Sequence, residues 1–401
     1  MALPFAIGAL LVLLIGLGVV ERARLHRHRS ALPVRIHVNG TRGKSSVVRL
    51  LAAALRADGR RVFAKTTGSL PRLITPDGTE LPVHRPGLTN VIEQLRILGL
   101  AARENADVLV IECMALQPAL QSLCELEIVR ATHGVICNAW PDHLDVMGPT
   151  DRDVALALAG TTPVGGVLFS AEREHRALFE AACRDRGSEF VGIGDAEVNT
   201  LSDAEMARFD YIEHRENVAL TLAVCEQLGV DREVALAGMA QAEPDVGALR
   251  EAEVRFFGRR LQFVNGFAAN DPIATERVWR LALARHPDPD TRVMVLNCRL
   301  DRPDRSRQLG EALPAWPLAD HYFLVGSGTY ALARTAVGAG LPATRLTPLE
   351  GEGAADVFEE ILGVAGRHAL VVGAGNIAGI GLDLHRYFQR RATLTDAEQA
   401  A

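Results

Sequence analysis

The segment RIHVNGTRGKSSVVRLLAAAL, Arg35 to Leu55, holds the residues best suited to chemistry. An apolar run ends at Gly40, and Thr41, Arg42, Gly43, Lys44, Ser45 and Ser46 follow before a helical pattern opens. Glycines here let backbone N–H groups turn toward phosphate oxygens, and a helix N-terminus adds positive potential. Lys44 is placed to reach the β- and γ-phosphates of a nucleotide, and the Ser45 hydroxyl to sit on Mg²⁺. The usual loop, G-x-x-x-x-G-K-[ST], has its first glycine where Val38 stands, so this is a shortened form. Lys44 and Lys65 are the chain's only lysines, which makes a lysine right after such a turn a specific signal.

Other clusters extend the chemistry. Glu112 closes the run DVLVIEC, at the strand end where open α/β sheets bind ligands. His143 has Asp142 and Asp145 beside it, a composition suited to a hard cation. In NCRLDRPDRSR, Arg299, Arg302, Arg305 and Arg307 stand among Asp301 and Asp304. Arginine forks recognise carboxylates, although such a loop can also pair with itself. VVGAGNIAG places Gly373, Gly375 and Asn376 at another strand-to-helix turn, where a tight turn alone explains the glycines equally well.

The elements that must hold these residues alternate. VRIHV, RVFAKT, DVLVIEC, THGVICN, GVLFS and EFVGI read as strands, and helical patterns cover 44–57, 90–104, 151–162, 173–186 and 213–228. This alternation predicts a mostly parallel sheet with helices on both faces. QAEPDVGALRE, Gln241 to Glu251, breaks the composition, and a second alternating set follows: RLQFVN, RVMVLNC, HYFLVG and HALVVG. The expected fold class is α/β, with domains at 34–246 and 250–390 and a frayed tail at 391–401.

The start of the chain differs. Leu3 to Val20 carries no charge, and its helical length, about 27 Å at 1.5 Å per residue, matches a bilayer core. Arg22, Arg24, Arg27, Arg29 and Arg35 follow. The expectation is a transmembrane anchor over 1–22 and a basic juxtamembrane linker over 23–33. The positive-inside rule then puts the N-terminus outside and the catalytic body in the cytoplasm, at the inner membrane. The six cysteines are widely spaced with no C-x-x-C pair, which fits core residues in a reducing compartment. A net charge of −6 supplies no basic field and argues against nucleic acid as partner.

The short G-x-x-G-K-[ST] loop resembles that of Mur ligases and folylpolyglutamate synthetases. CNAWPDHLDVMGPT is similar to their Asn-x-x-x-Asp-His-x-Asp segment, and HRENVALTLAVCEQLGV to a helix whose asparagine meets adenine. KTTGS, ECMALQP, DHLDVMGPT, VNGFAANDP, NCRLDRPDR and VGAGNIAG, in this order, resemble the PgsB/CapB family, the ligase subunit of poly-γ-glutamate synthase. The resemblance implies a P-loop Mur-ligase-type central ATPase domain and a smaller C-terminal Rossmann-like domain. It implies ATP and Mg²⁺ as cofactors, with two metal ions held by Ser45, Glu112 and His143. Lys44, Glu112, His143 and Asp271 would be catalytic, and Asn217 and Arg250 would join the loop on the nucleotide. Thr66 and Thr67, with Lys65, would touch acyl-phosphate oxygens or Mg²⁺, or else pack. Arg72, Asn270, Arg299, Arg302, Arg305 and Asn376 are substrate candidates, with Asn90 and Glu93 weaker ones and Asn265 near the ATP-facing region.

Two departures from the wider family matter. The phosphate loop follows the basic flank closely, which leaves no room there for a domain that binds a UDP-sugar precursor. The zone VALALAGTT, Val154 to Thr162, lacks the lysine that many relatives carbamylate as a metal bridge. The reaction implied is ADP-forming amide ligation through an acyl phosphate, joining glutamate through its γ-carboxylate into poly-γ-glutamate. Small membrane subunits of a synthase–export complex would be partners, and a homo-oligomer is left open. The alternatives are a folylpolyglutamate-type ligase on another acceptor and a non-enzymatic, membrane-tethered nucleotide switch or scaffold.

Overall fold

The computed structural model describes residues 2–68, 70–85, 90–245 and 249–400, the side chains of 2–6 and 393–400 excepted. The chain divides into two compact units, Met1–Asp245 and Val246–Ala401. In the first, the strands are β1 (Val34–Asn39), β2 (Val62–Lys65), β3 (Arg72–Ile74), β4 (Glu80–Pro82), β5 (Val108–Glu112), β6 (His133–Ile136), β7 (Val167–Ser170) and β8 (Glu189–Gly192). They form an eight-stranded sheet in the order β4-β3-β2-β5-β1-β6-β7-β8. The pairings from β2 to β8 are parallel, and β3 and β4 add an antiparallel edge.

The central strand β5 is buried at every position, because helices cover both faces of the sheet and select a continuous apolar run. Helix α2 (Lys44–Ala57) turns Val47, Val48, Leu50, Leu51 and Leu55 into the core. Its small residues allow a close neighbour: a Cβ on Gly238, in the helix Arg232–Ala240, would meet the Ala53 carbonyl at 2.7 Å. Helix α3 (Glu93–Arg103) buries Ile97 and Leu98. The register sets Val38 beside Glu112, Asn39 beside Ile136 and Lys65 beside Ile111. The carboxyl ends of β1, β2, β5 and β6 therefore open on one edge of the sheet.

Helix α1 (Ala2–Ser30) corrects two expectations. Among the described residues no helix is long and apolar enough to cross a membrane, so the spanning segment expected over 1–22 is not supported. The apolar run passes without a break into Glu21, Arg22 and Arg24. Most of the segment 23–33 is likewise helix rather than linker. Leu25 packs on the core under α3, and Arg29 donates to the Ile128 carbonyl at 2.8 Å and to that of Glu127. Ahead of this docked end, Ile7 to Val20 carry exposed apolar side chains.

The second unit holds β9 (Arg250–Phe256), β10 (Arg259–Asn265), β11 (Thr291–Cys298), β12 (His321–Gly326), β13 (Leu346–Glu350) and β14 (His368–Ala374). Their order is β13-β12-β11-β14-β10-β9, with only the β9–β10 pairing antiparallel. Phe263 and Phe388 stack with ring centroids 4.1 Å apart in its core. The helix Ile380–Ala400 continues through most of the expected tail, whose Ala, Glu and Gln favour helix.

Candidate active site

The chain leaves β1 at Gly40, whose φ is 130°. A Cβ there would lie 3.0 Å from the Cys137 amide nitrogen, so the exit of β6 leaves space for glycine alone. Gly43 has φ 83°, and a Cβ on it would stand 2.7 Å from Asn217 Oδ1. Asn138 clamps the loop between these glycines. Its Oδ1 accepts from Thr41 Oγ1 at 2.6 Å and from the Arg42 amide at 2.9 Å, and its Nδ2 donates to the Arg42 carbonyl at 3.2 Å. Gly43 gives α2 no side-chain cap, so the helix N-terminus faces the loop with donors for an anion. Lys44 Nζ curls back, donating to the Gly40 carbonyl at 2.6 Å and the Thr41 carbonyl at 3.1 Å. A γ-phosphate is a stronger partner for that ammonium than two neutral carbonyls.

Glu112, 2% exposed, collects donors from two elements. Ser45 Oγ donates to its Oε2 at 2.8 Å, the Thr67 amide to the same oxygen at 2.6 Å, and Thr67 Oγ1 to Oε1. Hydroxyl and carboxylate oxygens at the head of a phosphate-loop helix form a donor set that suits a hard divalent cation. His143 precedes the short helix Leu144–Met147 and has φ 50°. Its amide donates to Asp142 Oδ1 at 3.0 Å, and Asp142 Oδ2 lies 3.6 Å from Arg42 Nη2. His143 is thus tied to the loop through Asp142 and Arg42. Asn217, on the helix Arg215–Gln227, donates from Nδ2 to Glu213 Oε1 at 2.8 Å, behind Gly43.

Lys65 is fully buried, and its ammonium sits 2.8 Å from Glu93 Oε1. Arg85 Nε holds the other oxygen of that carboxylate at 2.6 Å. Burial lowers the Lys65 pKa, with Glu93 opposing it. Burial also pushes the Glu93 carboxyl up, but Arg85 and Lys65 outweigh it and hold the group below its usual value. Thr66 is buried too; its hydroxyl accepts from the Arg72 amide at 3.1 Å, which joins these residues through the β2–β3 turn.

In the second unit, Asn270, Arg299, Arg302, Arg305 and Asn376 line one shallow crevice. It opens at the carboxyl ends of the adjacent strands β11 and β14. Asn297 braces its floor, donating from Nδ2 to the carbonyls of Asn376 and Ala378. Arg299 also forks onto Asp301 at 2.8 and 2.7 Å, and Arg307 pairs with Asp304 at 2.8 Å, so the loop is partly self-neutralised. Asp271 caps the helix Pro272–Arg285, accepting from the Ala274 amide at 2.8 Å. Arg250 stands opposite Asn265 on β9, and its charge acts on His385. Sequence reasoning gave no role to Arg85. Its bond to Glu93, with that of Lys65, makes Glu93, an expected weak substrate candidate, a member of an ion-paired cluster. Asn138 stood in the CNAWPDHLDVMGPT segment, two residues past β6, but its clamp on the loop was not read from it.

Residues 38–243 match the Mur ligase middle domain, and residues 252–391 match the poly-gamma-glutamate synthase CapB C-terminal domain. PGA synthase CapB of Bacillus subtilis (strain 168) is 34% identical over 90% of this chain and 92% of that protein. The capsule biosynthesis protein CapB of Bacillus anthracis is 34% identical over 94% of this chain and 80% of that one. Among solved structures, E. coli FolC in complex with DHPP and ADP superposes with a TM-score of 0.66 at 17% identity, covering 95% of this chain and 92% of FolC. Mycobacterium tuberculosis folylpolyglutamate synthase complexed with ADP and AMPPCP gives 0.63 at 18% identity, covering 94% of each chain. These two likenesses show the fold.

Proposed function

The chain belongs to the CapB family of Mur-type ligases, ATP-dependent amide ligases, and from that premise we propose that it polymerises glutamate through the γ-carboxylate into poly-γ-glutamate, forming ADP. The observation that carries this reading is the joint placement of the phosphate loop, Lys44 and the Ser45–Glu112 pair on one sheet edge. Backbone groups from Gly40 to Ser46 bind the nucleotide phosphates, with Asn217 packed behind Gly43. Lys44 leaves the loop carbonyls and neutralises the γ-phosphate. Mg²⁺ on Ser45 and Glu112, with a second ion toward His143, would supply charge neutralisation during transfer.

A γ-carboxylate oxygen attacks the γ-phosphorus, and ADP leaves. The amine of a glutamate then attacks the acyl carbon, and inorganic phosphate leaves as the amide forms. Thr67 and Arg72 would bind the activated carboxylate. Arg299, Arg302 and Arg305 would take carboxylates of the amine substrate or polymer, with Asn270 and Asn376 orienting it. The Asp271 carboxylate would direct the amine, at the cost of its capping bond.

We place the protein at the cytoplasmic face of the membrane, held through the exposed apolar side chains from Ile7 to Val20 and accompanied by small membrane subunits. The test of the ligase reading is incubation of the full chain with ATP, Mg²⁺ and glutamate. Amide-linked glutamate and stoichiometric ADP, both lost in Lys44→Ala, are expected. ADP release without any amide product would favour a nucleotide switch instead.

A further inference from the structure

The exit of β7 reads SAEREH, Ser170 to His175, and its third residue, Glu172, is buried. A carboxylate taken out of water needs donors in place of the solvent. Glu172 Oε2 accepts from the Ala139 amide at 2.7 Å, and Oε1 from the amides of Glu174 at 2.8 Å and His175 at 3.2 Å. All three donors are backbone N–H groups, so what this carboxylate orders is backbone. Ser170 ties the same two strand exits a second time. Its hydroxyl donates to the Ile136 carbonyl at 2.9 Å and accepts from the Glu172 amide at 3.1 Å. Ala139 stands between the two residues that grip the phosphate loop. Asn138 before it makes the side-chain bonds to Thr41 and Arg42, and its carbonyl accepts from the Thr41 amide at 3.1 Å. Trp140 after it donates from its amide to Thr41 Oγ1 at 3.0 Å.

We propose that Glu172 is a positioning residue of the nucleotide site. By holding the Ala139 amide it sets the backbone of 138–140, and through Asn138 and Trp140 the shape of the loop from Gly40 to Gly43. This rests on the ligase reading for the nucleotide, and adds to it the residue that fixes the cradle from behind. A loop whose N–H groups are aimed in advance binds phosphate without an ordering cost at the moment of binding. Glu172 acts through Ala139 rather than on the nucleotide. Without its acceptor oxygen the buried Ala139 amide loses its partner, and the segment must shift to find another. The Asn138 clamp shifts with it.

The test is the affinity of the full chain for a non-hydrolysable ATP analogue with Mg²⁺, measured by calorimetry where each variant is folded. Glu172→Gln keeps the size of the side chain but exchanges one acceptor oxygen for a donor among donors. It should weaken the analogue about tenfold. In turnover the KM for ATP should rise with it while the KM for glutamate stays. A merely structural loss would lower the active fraction and leave both KM values unchanged. Glu172→Asp keeps the charge but shortens the reach, and should shift the affinity in the same direction by less. Asp231→Ala, which removes the cap of the helix Arg232–Ala240, should lower stability without changing the affinity. Parent affinity in Glu172→Gln, or in Glu172→Asp should the first not fold, would overturn the assignment and leave the loop reading standing. So would an equal loss in Asp231→Ala. Failure of the unaltered chain to bind the analogue would remove both.

Discussion

The Ser45 hydroxyl and the Glu112 carboxylate meet at 2.8 Å, joining the first turn of α2 to the last residue of β5. This pair couples the phosphate loop to the strand end, and the Thr67 donors lock the carboxylate from the other side. Glu112→Gln turns one acceptor into a donor facing donors. Leaving such buried groups unsatisfied costs about 1–3 kcal/mol, so a loss of that size is expected in urea unfolding, together with loss of glutamate-dependent ADP formation. Stability equal to the parent would mean that the carboxylate is not held as described.

Gly40→Ala tests the loop geometry. The new Cβ would press on the Cys137 amide nitrogen at 3.0 Å, from a backbone held at φ 130°. Strain of this kind costs on the order of 1–3 kcal/mol, and the chain relieves it by moving the loop. Nucleotide binding followed by calorimetry should weaken more than stability does. Unchanged affinity would show that the loop can re-form elsewhere.

The buried Lys65–Glu93 pair predicts an asymmetry between its members. Glu93→Gln strands a buried ammonium, and breaking a buried pair in this way costs about 3–5 kcal/mol. Lys65→Met leaves the Glu93 carboxylate its Arg85 partner and replaces the ammonium by an apolar chain of similar length. It should cost less in chemical denaturation. Equal losses would mean that Arg85 does not support the carboxylate.

Much of this was legible before any coordinates. The strands that carry the phosphate loop and Glu112 are continuous apolar runs closed by glycine or polar residues, and each lies where its run predicts. β3, β4 and β13 were missed because they are short or half-exposed strands at or next to a sheet edge, whose pairing is decided by neighbours rather than by their own pattern. β9 was missed because it starts at the end of the composition break, and its charged residues alternate with only Ala252, Val254 and Phe256 as an apolar face. The Asn138 clamp depends on contacts with Thr41 and Arg42, distant in sequence, which no local spacing encodes. For α1, the apolar run was read without the docking contacts of Leu25 and Arg29 that hold its other end on the first unit.

His385 gives the second unit an acid-sensitive element. Burial, with help from Arg250 and Arg386, lowers its pKa from 6.5 to about 4. Between those values the unfolded chain binds a proton that the folded unit refuses, so this contribution is intact above pH 6.5 and is lost as the pH falls toward 4. His385→Gln should flatten that stretch of the stability profile of the second unit. A slope identical to that of the parent would assign the acid limb to other groups.

The central claim is that a carboxylate is activated by phosphoryl transfer from ATP. The most direct measurement uses glutamate labelled with ¹⁸O in its γ-carboxylate, with ATP and Mg²⁺, and mass analysis of the phosphate released during amide formation. Transfer of one ¹⁸O atom to inorganic phosphate, with ADP as the nucleotide product and no transfer in Lys44→Ala, is the predicted result. Unlabelled phosphate alongside amide product, or AMP in place of ADP, would contradict it.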